Sequence, residues 1–137
     1  MNDETIKACA RALVGQIIEV RRHLHAHPEL SFQEHETADY LADRLTEAGI
    51  PFQRIAGTGL LARITGTGDP KRCVVLRADT DALPIQEDSG VPFTSVHAGV
   101  MHACGHDTHI SVLLGAAKIL NEIKDELCGT INLCFEP

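Results

Sequence analysis

The spacing of apolar residues changes period at Pro51, and that switch restricts the chain to folds that combine helices with a sheet. Before it, Ile6, Cys9, Leu13, Ile17, Val20 and Leu24 recur at steps of three and four residues, the repeat of one helix face. This predicts a helix from Asp3 to about His25, closed at His27-Pro28 because proline disfavours helical backbone in the residue before it. A second helix is predicted from Ser31 to Gly49, with Ala38, Leu41, Ala42, Leu45 and Ala48 on one face and Gly49 and Pro51 as stop signals. Beyond Pro51 the segments FQRIAG, GLLARITG and RCVVLRAD are short, rich in Val, Ile and Leu, and bounded by Gly, Asp and Pro, as strands are. The third is apolar on consecutive residues from Cys73 to Leu76, which predicts a strand covered on both faces. A loop from Thr80 to about Val100, a helix over His109–Ile123 and a last strand in GTINLCFEP complete the order. Loops of that length in a compact domain are usually functional or mobile.

Helices, strands, a long loop, a helix and a strand in this sequence give an α/β domain. Its chemistry is then expected at the carboxyl ends of the strands. Two ends carry acids: Asp79 and Asp81 follow the run CVVLRA, and Glu136 closes INLCFEP.

Composition removes several classes of function. A net charge of −7, from 12 Lys and Arg against 19 Asp and Glu, leaves no basic stripe for nucleic acid and repels anionic lipid. No apolar run reaches the ~20 residues of a membrane helix. The acidic start MNDETIKACARALVGQ is unlike a secretory signal, so a cytoplasmic location is expected. The five cysteines, Cys9, Cys73, Cys104, Cys128 and Cys134, are odd in number and widely spaced. They argue against a disulfide framework, and four of them are expected to pack in the core.

The densest reactive stretch is MHACGHDTH, residues 101–109. Cys104 and His106 flank Gly105, which lets the backbone turn so that both donors face one ion, and thiolate with imidazole suits Zn²⁺ and similar metals. Asp79, Asp81, His102, Asp107 and His109 are candidates for further ligation or for fixing an imidazole tautomer. The competing chemistry is a thiol hydrolase, with Cys104 as nucleophile, His106 or His109 as base and Asp107 orienting it. Thiol enzymes usually draw that histidine from a distant segment, which weighs against this reading. Three other patterns lack context. The run Gly57 to Ala62 fits a dinucleotide fingerprint but leads into a strand. His35-Glu36 has Asp39 where a zincin needs histidine. The spacing of His23, His25 and His27 near a helix end predicts a solvated face.

The segments RRHLHAHPELSFQEHETADYLADRL, VVLRADTDALPIQE, MHACGHDTHISVLLGAAKIL and INLCFEP, in that order and spacing, closely resemble the amino-terminal part of the metallo-amidohydrolases of the aminoacylase and carboxypeptidase G type. Within this group, metallopeptidase family twenty, the chain looks most like the branch of hippurate hydrolases, auxin-conjugate hydrolases and N-acetyldiaminopimelate deacetylases. The resemblance implies the amino-terminal portion of a zinc-peptidase-like catalytic domain over residues 1–137, with the dimerisation domain and the carboxy-terminal catalytic part absent. It implies hydrolysis of the amide bond of N-acyl-amino acids or short peptides by two divalent ions, Zn or Mn. Cys104 and His106 match the family's metal ligands and Asp81 its supporting catalytic acid. Asp79 stands where relatives carry a histidine ligand, which leaves its role open, as it does for Asp107 and His109. The family continues past Phe135-Glu136-Pro137 into a pair of glutamates, the first a general base. The chain alone is therefore expected to be inactive and to self-associate through the uncovered last strand. The alternative function is a noncatalytic metal-binding or interaction module.

Overall fold

The computed structural model describes residues 2–69 and 71–137. Helix α1 spans Asp3–Ala26, its first turn capped by the Asn2 side chain, which accepts from the Thr5 amide at 2.9 Å. Helix α2, His35–Glu47, starts later than the apolar spacing predicts. Residues 31–34 are spent in a turn that places Phe32 at φ 61, and the Glu29 carboxylate reaches over it to accept from the amides of Glu36 and Thr37 at 3.1 and 2.7 Å. Strands β1 (Phe52–Ile55), β2 (Gly59–Thr65), β3 (Cys73–Asp79) and β4 (Thr130–Glu136) form one sheet in the order β1-β2-β4-β3. β1 with β2 and β2 with β4 are antiparallel, whereas β3 runs parallel to β4. A mixed α/β architecture with two amino-terminal helices, a mixed sheet, then a helix and a strand is what the sequence predicts.

Alternation along the strands decides which face is covered. Leu60, Ala62 and Ile64 of β2 and Leu133 and Phe135 of β4 are buried. They meet Leu41, Ala42 and Leu45 of α2 and Ile110, Leu113, Leu114 and Ala117 of the third helix, α3, which spans His106–Glu122. Helix α1 lies against α3, and the approach is close: a Cβ on Gly115 would sit 2.6 Å from Ile17 Cδ1. The opposite sheet face carries Arg63 and Asn132, hydrogen-bonded to each other at 3.1 Å.

Three expectations fail here. The last strand is not an uncovered edge, because β4 lies between β2 and β3 and pairs with both. β3 is not covered on both faces: it is an edge strand paired only with β4, and Val74 and Val75 are 57% and 60% exposed. Nor are four cysteines in the core, since Cys73, Cys104 and Cys128 are exposed and Cys9 and Cys134 only partly buried, all five free. Cys73 opens the edge strand and Cys128 lies in the turn before β4, so neither position is enclosed. No helix among the described residues is long and apolar enough to cross a membrane.

Candidate metal centre

Because β3 and β4 are parallel and Asp79 pairs with Glu136, the acids at both strand ends emerge at the same edge. The chain is locked there by Thr80, whose amide and hydroxyl both donate to the Glu136 carbonyl at 2.7 Å. It then enters the long loop, whose backbone is tied down at several places. The Ala82 amide donates to the Glu29 carbonyl at 2.8 Å, Leu83 and Met101 exchange two backbone bonds at 2.9 and 3.0 Å, and the Val96 amide donates to the Ala26 carbonyl at 2.8 Å. The Leu83–Met101 clasp folds the loop back so that Asp81 lies beside the start of α3.

That helix begins at His106, about one turn before the predicted His109. Gly105 adopts φ 77 and accepts from the amides of Thr108 and His109, a left-handed conformation that glycine enters without steric cost. The polar run His106-Asp107-Thr108-His109 hides this first turn from any reading based on apolar spacing.

The His106 ring is oriented by Asp81. Its Nδ1 lies 2.9 Å from the Asp81 carbonyl oxygen and 3.0 Å from Asp81 Oδ1. Both are acceptors, so Nδ1 carries the proton and donates, leaving Nε2 with its lone pair. Nε2 faces Asp79 Oδ2 at 3.8 Å, too far for a hydrogen bond. Asp79 Oδ1 accepts from Arg77 Nη2 at 2.7 Å. Arg77 also pairs with Glu136 and thereby holds the Glu136 carboxyl below the usual carboxylate range. Cys104 lies exposed just before Gly105, and His109 is exposed with its ring centroid 6.2 Å from that of His106.

The donor set fits a borderline-soft divalent cation in part. An imidazole nitrogen held in the ligand tautomer, a nearby carboxylate and an exposed thiol in the adjoining turn are the right chemistry. Among the described residues, however, no three His, Cys, Asp or Glu side chains converge as a metal cluster, so the arrangement supplies part of a coordination shell.

Asp107 points the other way, into the protein. It is fully buried, and its Oδ2 accepts from His25 Nδ1 at 2.7 Å and Arg21 Nε at 3.0 Å. His25 Nε2 meets Glu87 Oε1 at 2.8 Å. Burial pushes the Glu87 carboxyl up, but hydrogen bonds from the Ser89 hydroxyl, the Ser95 amide and His25 outweigh it and hold the group at about 2. The solvated-face expectation for the histidine run is thus wrong at His25, which is 4% exposed. His23 is exposed and stacks on Tyr40 and His27, while the His27 ring bonds the His23 carbonyl. Arg21, His25 and Glu87 escaped the sequence reading. The available signal was the i, i+4 spacing of Arg21 and His25 on α1, which puts both on one helix face. His102 is also buried, with neither ring nitrogen hydrogen-bonded. Burial pushes it down to about 4, so it is neutral at pH 7.

Comparison with known proteins bears on the family and the fold. Residues 75–137 match the model of peptidase family M20/M25/M40. The N-acyl-L-amino acid amidohydrolase of Geobacillus stearothermophilus is 46% identical over 99% of this chain and 37% of its own length. The N-acetyl-L-cysteine deacetylase of Bacillus subtilis is 46% identical over 100% of this chain and 33% of its own. The crystal structure of the Bacillus subtilis YXEP protein, described as a dinuclear metal binding peptidase from the M20 family, superposes with a TM-score of 0.88 at 44% identity, covering 93% of this chain and 36% of that one. The chain spans about a third of the length of the curated relatives it matches. Motif order, fold and relatives together say that this chain belongs to the M20 family of peptidases and amidohydrolases.

Proposed function

We propose that residues 1–137 are the amino-terminal part of the catalytic domain of a metal-dependent hydrolase acting on the amide bond of N-acyl-amino acids or short peptides. The dimerisation domain and the carboxy-terminal catalytic part would correspond to the remaining two thirds of the relatives' length. The observation that carries this reading is the His106 ring, fixed through Nδ1 by both the carbonyl and the carboxylate of Asp81 and presenting Nε2 towards Asp79.

Cys104 and His106 would hold the ion, Zn or Mn, and Asp81 would fix the His106 ring by accepting a hydrogen bond from its Nδ1–H. Asp79 is near enough to His106 to share an ion with it. When bound, divalent ions supply Lewis acidity for the scissile carbonyl and an acidified water. Asp107 faces away from this edge and serves the fold. Glu136 is not a free base: it is committed to Arg77 at the end of β4. This supports the expectation that residues 1–137 alone do not turn over substrate, since a general base must come within about 3 Å of the proton it takes.

The test is hydrolysis of N-acetyl- and N-benzoyl-amino acids by the whole protein before and after chelation. Activity should vanish on metal removal and return with Zn²⁺ or Mn²⁺. Hydrolysis that survives complete metal removal would overturn the proposal.

A further inference from the structure

His25 has no place among the proposed ligands, yet it is one of the most enclosed polar residues of the chain, and each of its ring nitrogens meets a carboxylate. Nδ1 lies 2.7 Å from Asp107 Oδ2 and Nε2 lies 2.8 Å from Glu87 Oε1. Ionised carboxylates only accept, so the ring donates from both nitrogens. Three separate pieces of chain meet at this imidazole. Glu87 belongs to the long loop, where it also takes the Ser95 amide at 2.6 Å. His25 belongs to the last turn of α1 and Asp107 to the first turn of α3.

The start of α3 is seated on the core by the buried Ile110, but its first turn depends on side-chain bonds for its orientation. Gly105 precedes it in a left-handed conformation, and no side chain caps the helix. The side chains that tie this turn to other segments are Asp107, clamped by His25 and Arg21, and the adjoining His106, bonded to Asp81. Neighbouring residues in a helix point in different directions, so anchoring Asp107 inward sets the direction of His106 outward.

We infer that His25 is a positioning residue for the metal centre: by bridging Glu87 and Asp107 it fixes the first turn of α3 and with it the His106 ring against Asp81. The inference rests on reading His106 as a ligand, but its geometry is measurable without metal.

The experiment is ¹⁵N-imidazole NMR of the metal-free chain, with Co²⁺ titration in parallel. Wild type should show His106 as the Nδ1–H tautomer. In His25→Ala, and in Glu87→Ala, which removes the loop anchor and spares the helix, His106 should move to a mixture of tautomers and Co²⁺ affinity should fall at least tenfold. Leu45→Ala, a core truncation in α2, should lose stability while leaving both readouts at wild-type values. A folded His25→Ala with an unchanged His106 tautomer overturns the inference. If His25→Ala does not fold, an unchanged tautomer in Glu87→Ala overturns it. A tautomer that responds in a chain whose wild type binds no Co²⁺ supports the positioning role and defeats the metal reading instead.

Discussion

Truncating Asp107 to alanine removes the acceptor at the centre of the Arg21–Asp107–His25 cluster, and the structure sets the cost. Oδ2 accepts two charge-assisted hydrogen bonds, 2.7 Å from His25 and 3.0 Å from Arg21, each worth ~1.5–3 kcal/mol. The Arg21 side chain is 35% exposed, so water takes over much of its share. The His25 side chain is 5% exposed and is stranded with one ring nitrogen unpaired. Breaking a buried ion pair by removing one member costs ~3–5 kcal/mol. Against this, Oδ1 is buried without a partner, and deleting it returns about 1 kcal/mol. The net expectation for Asp107→Ala is a loss of about 3 kcal/mol, or roughly 10 °C in Tm for a domain of this size. Asp107→Asn should lose about half as much, because its amide oxygen can still accept in the place of Oδ2. Urea unfolding in the presence of chelator, at unchanged m, reads the difference directly. An alanine variant that loses less than about 1 kcal/mol, or an asparagine variant as costly as alanine, would refute the assignment of the cluster.

Asp81→Ala should weaken divalent-metal binding about tenfold, the lower end of what losing an oriented acceptor costs, because the Asp81 carbonyl still holds His106 Nδ1 at 2.9 Å; isothermal titration checks it. Glu87, held at about 2 against an ordinary 4.5, binds fewer protons folded than unfolded between those values. Its contribution is therefore intact above pH 4.5 and lost as pH falls towards 2, and Glu87→Gln should flatten acid unfolding in that window. The open edge of β3, with Val74 and Val75 57% and 60% exposed, should pair with a second copy. Val75→Lys should shift the chain towards monomer in sedimentation velocity, and a wild type that stays monomeric at high concentration contradicts this.

The period switch at Pro51 makes the α/β class readable, and the acids that end two apolar runs, Asp79 and Glu136, do lie side by side at one end of the sheet. Asp81 and His106 could be nominated because they sit in short local motifs. The start of α3 could not be read, since its first turn is polar and its trigger is the backbone of Gly105. His25 is buried although its alternation with His23 and His27 predicts exposure. Its partners Glu87 and Asp107 lie 62 and 82 positions away, a distance over which no periodicity carries information. The exposure of Cys73 and of Val74 and Val75 follows from the position of β3 at the sheet edge, and strand order is a tertiary property that a run of apolar residues does not encode.

The measurement closest to the central claim is Co²⁺ titration of the chain, followed by its thiolate-to-metal charge-transfer absorption and by the His106 imidazole signals. Cys104 and His106 as ligands predict a saturable band near one equivalent. The band should be lost in Cys104→Ser, while His106→Ala should lower affinity and leave any residual band shifted. Saturable Co²⁺ binding with no thiolate band, or a band unchanged in Cys104→Ser, would contradict the account and place the metal-binding chemistry elsewhere in the chain.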